Sequence, residues 1–349
     1  MRIGLVGYGT GGRHFHAPFM AAARNVELTG VVARAPETIA AVNADMPEMK
    51  VFPSLQAMIE AGEVDAVTIT TPPQTRCVLV LQAIKAGLHV IADKPFAPNA
   101  QGASELEAAA RNRGVILGVF QNRRWDSNFQ TLYKLIEVGR LGKIWSVHSR
   151  MDFNDPATLE AGPEGGLLRD LGSHLVDQML WLLGPVTSVD AQLDHVKLET
   201  GVTDTAFTIT LRHASGAHSH ISASKLNHIN CRELRAYGEL GSYVSVGTDV
   251  QAQAIFAGRR PNDDLAAWGF EPQSNWGVLR TSEGTQEIPA EQGRYHDYYE
   301  AFAEAAHAGA EPPVTAVSGI RTLEVLDAAR RSALEGRSVS VVSKSASEY

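Results

Sequence analysis

Five short runs in the first 120 residues, RIGLVG, ELTGVVA, DAVTIT, HVIAD and GVILGVF, are apolar on both faces, and helix-like segments at about 12–24, 36–45, 54–61, 74–86 and 99–113 separate them. A strand with two apolar faces has to be covered on both sides. Strands joined by helical crossovers run parallel, because the crossover returns the chain to the same edge of the sheet. With right-handed crossovers this pattern specifies a doubly wound α/β sheet of the Rossmann type.

After about residue 122 the periodicity changes. A helix near Ser127 to Val138 precedes KIWSVHSRMDF, a longer helix covers LGSHLVDQMLWLLG, and TAFTITLRH and AHSHISASKL alternate with period two around the turn HASGAH. Hairpins of this kind predict an α+β domain on a mostly antiparallel open sheet with helices on one face. Phe207, Ile209 and Leu211 would face the helices, with Thr208 and Thr210 on the other side. YHDYYEAFAEAAHAG and GIRTLEVLDAARRSALEG predict two closing helices, the second stopping at Gly336, followed by the strand VSVV.

A chain of 349 residues exceeds what one core usually supports. The expected division is a dinucleotide-binding domain at 1–122, a substrate-binding and oligomerisation domain at 123–342, and a disordered tail at 343–349. The net charge of -8 lacks the basic footprint of a nucleic-acid surface and points to small-molecule partners. Cys77 and Cys231 stand far apart without metal spacing, and no apolar run approaches the ~20 residues that span a bilayer, so the expectation is a reducing cytoplasm and no membrane.

VGYGTGG, directly after the first strand, matches G-x-G-x-x-G at Gly7, Gly9 and Gly12. The first glycine permits the tight turn, the second lets a pyrophosphate approach the backbone, and the third lets helix and strand pack closely. Thr10 and Gly11 lie in the same turn, where helix N–H groups favour an anion. At the end of the second strand an NAD site usually carries an acid for the ribose 2′-hydroxyl, but Ala33 and Arg34 stand there instead. An arginine can pair with a 2′-phosphate, so NADP(H) is expected over NAD(H), which remains possible.

HVIADKP ends a buried strand on Asp93, Lys94 and Pro95, at the carboxyl edge where doubly wound sheets bind ligands. Pro95 restricts the backbone of Lys94 and permits a cis bond. A lysine so placed can hydrogen-bond a substrate oxygen and assist proton transfer. In EGGLLRDLGSHLVDQ, Asp170 and His174 are four residues apart and share a helix face, while Leu171, Leu175 and Met179 point to a core. Histidine suits removal of an alcohol proton near neutral pH, and a nearby carboxylate can orient it. Gly165, Gly166 and Gly172 would leave room for a substrate.

The combination of GYGTGG, TTPPQT, AGLHVIADKP, QNRRWD, GGLLRDLGSH and the closing PVTAVSGIRTLEVLDAARRSALEGRSV resembles the Gfo/Idh/MocA oxidoreductases. FHAPF, QNRRWD and DLGSHLVDQ look like its NADP-dependent scyllo-inositol dehydrogenase branch. The resemblance implies that Lys94 and His174 flank the reacting carbon with Asp170 in support, and that the chain forms a homodimer or homotetramer through the open sheet. Thr71 and Pro72 resemble the family's nicotinamide-ribose loop. Asp93 replaces the usual Glu and is one methylene shorter, so its contact with that ribose or with Lys94 would be rearranged. Arg76 stands where many members have His, either as a second cation near the cofactor or as a surface residue.

Asn122, Arg123 and Trp125 are candidate substrate contacts, with bracing of the domain junction as the alternative; Tyr295 could also line a sugar site. His14 and His16 lie near the expected phosphates, and His218 and His220 share a strand face. Neither pair has the further ligands of a metal site, and no metal is expected. The function expected is hydride transfer to or from a secondary hydroxyl of a sugar, inositol or polyol. Two alternatives stay open, a dinucleotide-binding regulator without turnover and an NAD-dependent glycosidase.

Overall fold

The structure, a computed structural model, describes residues 1–161 and 165–341, and the tail at 343–349 lies outside them. The chain divides into two compact units. One comprises Met1–Asn122, Gln251–Trp268 and Arg294–Ile320; the other comprises Arg123–Val250, Gly269–Gly293 and the residues from Arg321 onward. Where the sequence places 123–342 in a second domain, two segments of that range fold with the first.

The first unit is built on β1 (Arg2–Val6), β2 (Glu27–Val32), β3 (Val51–Phe52), β4 (Ala66–Ile69), β5 (His89–Asp93) and β6 (Leu117–Phe120). Among the described residues these form a six-stranded sheet in the order β3-β2-β1-β4-β5-β6, and each neighbouring pair is parallel. The chain winds outward from β1 through β2 and β3, then from β4 through β6 on the other side. That reversal puts the crevice for a ligand at the carboxyl ends of β1 and β4. Every residue of β4 and β6 is buried, as expected of strands covered on both faces.

Helices α1 (Ala17–Ala22), α2 (Pro36–Asp45), α3 (Leu55–Ala61), α4 (Pro73–Ala86) and α5 (Ala100–Arg113) connect these strands. One expectation fails here. The first helix is not a continuous α-helix over 12–24, because Gly11–His16 is a π-helical turn and only Ala17–Ala22 is α-helical. Pro18 has no N–H for an α ladder, and its ring crowds the carbonyl four residues back. The Ala17 N–H instead reaches five residues back, to the Gly12 carbonyl.

The second unit contains α6 (Ser127–Glu137), β7 (Ile144–Asn154), α7 (Leu167–Leu183), β8 (Val186–Leu198), β9 (Gly201–His213), β10 (His218–Ser224), β11 (Leu226–Gly238), β12 (Gly241–Val246), β13 (Gly277–Thr281), β14 (Gly284–Ile288) and β15 (Val339–Ser340). Among the described residues these strands form a nine-stranded sheet in the order β14-β13-β12-β11-β7-β10-β9-β8-β15. Only the β7–β10 pair in it is parallel. α7 packs on β9, β10 and β7. Phe207, Ile209, Leu211 and Ile221 are accordingly buried on that face, while Thr208 is exposed on the other. The remaining helices are α8 (Val250–Phe256), α9 (His296–Ala308) and α10 (Ala316–Glu335), with Gly336 just past the last.

Arg124 and Asp177 fix α7 within the second unit. Arg124 donates from Nε and Nη2 to the two carboxylate oxygens of Asp177, each at 2.7 Å, and its guanidinium lies 5.2 Å from the Trp181 ring centroid. Both side chains are buried, so each satisfies a charge the other would leave stranded. Arg124→Met should destabilise the protein by about 3–5 kcal/mol because Asp177 stays buried without its partner. Arg124→Met combined with Asp177→Leu should recover most of that loss, as measured by urea denaturation.

Candidate active site

The glycine turn is set by one close approach. Gly7 leaves β1 at φ +101°, a conformation L side chains rarely adopt, and its N–H donates to the Val32 carbonyl at 3.1 Å. A Cβ on Gly12 would lie 2.2 Å from the Gly7 oxygen, so only glycine permits this contact. Thr70, just past β4, donates from its hydroxyl to that same oxygen at 3.0 Å and closes the turn. Behind it, Tyr8 and Arg13 both donate to Asp45 at the end of α2. The Arg13 hydrogen bonds hold the Asp45 carboxyl below the usual range, and burial raises the Tyr8 hydroxyl.

Gly9 and Thr10 are exposed, and a Cβ on Gly9 would meet no protein atom within 4 Å. The turn therefore leaves room for a diphosphate against bare backbone, and the residues present fit a dinucleotide. Past β2, Ala33 is buried, with its N–H on the Phe52 carbonyl. Arg34 is exposed and makes no ion pair among the described residues.

Asp93 ends β5. Its Oδ1 accepts the Lys94 main-chain N–H at 2.8 Å, its Oδ2 lies 3.4 Å from where a Gly11 Cβ would stand, and His16 Nε2 is 3.6 Å from Oδ1. Burial alone would raise this carboxyl. The facing His16 ring, with the positive charges of Arg76 and Lys94, outweighs burial, and the carboxyl falls to about 2. A depressed carboxyl contributes stability that is fully present above its unfolded value of about 3.9 and is lost as pH falls through the folded one. The Lys94–Pro95 peptide is cis.

Arg76 is not a surface residue. It is buried, and donates to the carbonyls of Asp93 at 2.9 Å, Pro95 at 2.5 Å and Thr71 at 2.7 Å. It thereby ties the Thr71–Pro72 loop to the Lys94 loop through main-chain acceptors, which explains why an arginine, with several fixed donors, suits the position.

Lys94 belongs to the first unit; Asp170 and His174 belong to the second. The helix carrying the latter pair is started by a residue the sequence reading missed. Asp204 on β9 accepts the Leu168 N–H at 2.6 Å, an acidic cap on the positive end of α7. Asp170 is 43% exposed in its side chain, and its Oδ2 accepts from Lys225 Nζ at 2.9 Å. The same ammonium donates to the Thr158 carbonyl at 3.2 Å. Asp170 thus serves a buried lysine, whatever it also does for His174, which is 5% exposed. Lys225 directly follows the strand HSHISAS, as Lys94 follows HVIAD, and that repeated placement is the signal that could have found it.

Several expected substrate contacts have other duties. A Cβ on Gly166 would stand 2.0 Å from Asp204 Oδ1, one on Gly165 2.5 Å from the Glu160 carbonyl, and one on Gly172 3.0 Å from Leu168. These glycines make room for the protein itself. Arg123 pairs with Asp249 at 2.8 Å and Asp126 at 3.4 Å, and its carbonyl accepts from Gln178. Its charge is spent on bracing the second unit. Asn122 is buried, Trp125 is half-buried, and Tyr295 is fully buried with Phe19 packed edge-on at 5.1 Å, a core contact.

The histidines separate likewise. His14 packs on Phe256 and His16 on Phe120, while His218 and His220 lie on β10, the latter 4.5 Å from the His148 ring. Among the described residues no three His, Cys, Asp or Glu side chains converge as a metal site would require. No helix among them is long and apolar enough to cross a membrane.

Residues 1–121 match the oxidoreductase family with an NAD-binding Rossmann fold, Gfo/Idh/MocA, and residues 129–244 match the GFO/IDH/MocA C-terminal domain. The chain is 31% identical over 348 residues to scyllo-inositol 2-dehydrogenase (NADP+) of Bacillus subtilis, covering 97% of this chain and 95% of that protein. It is 26% identical to inositol 2-dehydrogenase of Rhizobium meliloti, covering 98% and 99%. The crystal structure of an oxidoreductase from Bacillus cereus superposes with a TM-score of 0.88 at 25% identity, covering 99% of both chains.

Gly12→Ala should lower stability by roughly 1–3 kcal/mol through overpacking against the Gly7 carbonyl. Gly9→Ala should leave the urea midpoint unchanged and weaken dinucleotide binding, measured by nucleotide fluorescence titration.

Proposed function

The chain belongs to the Gfo/Idh/MocA oxidoreductase family, and on that premise we propose that it interconverts a secondary hydroxyl and a carbonyl on a sugar, an inositol or a related polyol, with NADP(H) preferred to NAD(H). The observation that carries this reading is the convergence at the carboxyl edge of the parallel sheet. The glycine turn, the Thr71–Pro72 loop and the Asp93–Lys94 strand end meet there, bound to one another by Asp93 and Arg76. Gly7, Gly9, Thr10, Gly11 and Gly12 would hold the diphosphate, Arg34 the ribose phosphate, and Thr71, Pro72 and Asp93 the nicotinamide end. When bound, the nicotinamide supplies the hydride acceptor or donor.

The protein's own contribution is proton handling and charge stabilisation. In oxidation, an imidazole nitrogen of His174 takes the hydroxyl proton while the Lys94 ammonium stabilises the developing alkoxide. In reduction, Lys94 polarises the carbonyl and His174 returns the proton. Asp170, its carboxylate anchored by Lys225, supports His174. Arg34, exposed and without an acidic neighbour in the position an NAD site would use, supports the NADP(H) preference. The open face of the nine-stranded sheet, where Thr208 and Val246 are exposed, supports assembly of two or four copies through that face.

Two outcomes follow. Lys94→Ala should cut kcat by about 100-fold or more and change nucleotide Kd by less than about threefold; inositols, aldoses and keto-sugars with each cofactor, read by nicotinamide absorbance, provide the assay, and unchanged turnover on a verified substrate contradicts the role. Arg34→Ala should weaken NADPH binding by about tenfold, on the order of one charge-assisted hydrogen bond, and leave NADH binding unchanged by calorimetry.

A further inference from the structure

Asp93 is held from a direction its sequence neighbours do not supply. His16, on the π-helical turn, is fully buried, with its ring centroid 4.2 Å from that of Phe120, its Nδ1 2.5 Å from the Tyr299 hydroxyl and its Nε2 3.6 Å from Asp93 Oδ1. The two ring nitrogens are thereby distinguished. Burial holds the Tyr299 hydroxyl protonated far above its ordinary range, so it can donate to Nδ1. The facing carboxylate, in turn, favours a proton on Nε2 over a lone pair there. The shorter Asp93 has its carboxylate at the strand end, where Oδ1 accepts the Lys94 N–H at 2.8 Å and faces this imidazole at 3.6 Å.

We propose that His16 is a positioning residue for Lys94: its imidazole, aimed by Tyr299 and Phe120, fixes the Asp93 carboxylate, which in turn fixes the main chain from which Lys94 projects. The proposal rests on the reading that Lys94 acts on the substrate oxygen. The groups facing Asp93 are His16 from the π turn, Arg76 from α4, Lys94 from its own loop and Tyr299 from α9. Arg76 gives its terminal nitrogens to main-chain carbonyls and caps the loop from the other side. Of the three groups that lower the Asp93 carboxyl, His16 is therefore the one whose side chain can be changed without removing a main-chain tie or Lys94 itself.

The test uses the full chain labelled with carboxyl-13C aspartate, with the Asp93 resonance assigned by its loss in Asp93→Asn. His16→Phe keeps the ring against Phe120 and removes both nitrogens; His16→Gln keeps a side-chain N–H. In the wild type Asp93 should stay ionised down to about pH 2. In His16→Phe it should titrate at or above the ordinary aspartate value of about 3.9, since burial then acts without the His16 ring facing the carboxylate.

In the same variant kcat should fall about 10- to 100-fold, the scale of a misplaced reacting group, while nucleotide Kd stays within about twofold and His16→Gln recovers part of the loss. An unchanged Asp93 titration in folded His16→Phe overturns the proposal. So does a loss of kcat that comes with an equal loss of nucleotide binding and of thermal stability, which marks a merely structural role. If no sugar or polyol is turned over by the wild type, the Lys94 reading fails by itself, and the titration still decides whether His16 holds Asp93.

Discussion

A charged strand end inside a doubly wound sheet is tolerable only if its charges are matched where they stand, and the rest of the first unit is arranged around that requirement. β5 is buried through Ala92 and then delivers an aspartate and a lysine to the ligand edge. The carboxylate is met by the Lys94 N–H and His16, and the carbonyls on either side are met by Arg76. Unmatched, a buried carboxylate would take up a proton and lose its hold on the loop. Matched, it is ionised and rigid, and the loop has a defined course.

The glycine turn depends on the same economy of space. Gly12 packs on the Gly7 carbonyl with no room for a side chain, and Thr70 brings β4 against the same atom. The π-helical turn that follows belongs to this arrangement: Pro18 interrupts the α ladder, and the turn that results carries His16 into the core beside Asp93. A local rule about proline therefore bears on the electrostatics of a residue far along the chain.

The second unit solves a different problem, holding one helix still. α7 is capped by Asp204, braced by Arg124 through Asp177, and linked to β10 through the Lys225–Asp170 contact. Gly166 at its start is consumed by the Asp204 contact, and Gly172 within it by the packing of Leu168. Small residues on a helix face are ambiguous in a sequence, because space for a ligand and space for a neighbouring side chain demand the same residue.

By itself the sequence determined the parallel sheet, the glycine turn and the helix bearing Asp170 and His174, since each follows from short-range periodicity or from a motif a few residues long. It also marked Lys94, because a lysine directly after a buried strand is anomalous within ten residues. Only the tertiary structure decided the partners. Lys225 lies 55 residues from Asp170, and Tyr299 lies 283 from His16. It likewise showed that Arg76, Arg123 and three glycines are engaged by other parts of the protein. A charge or a gap in a sequence states a need, and what meets it depends on which distant segments the folded core brings alongside.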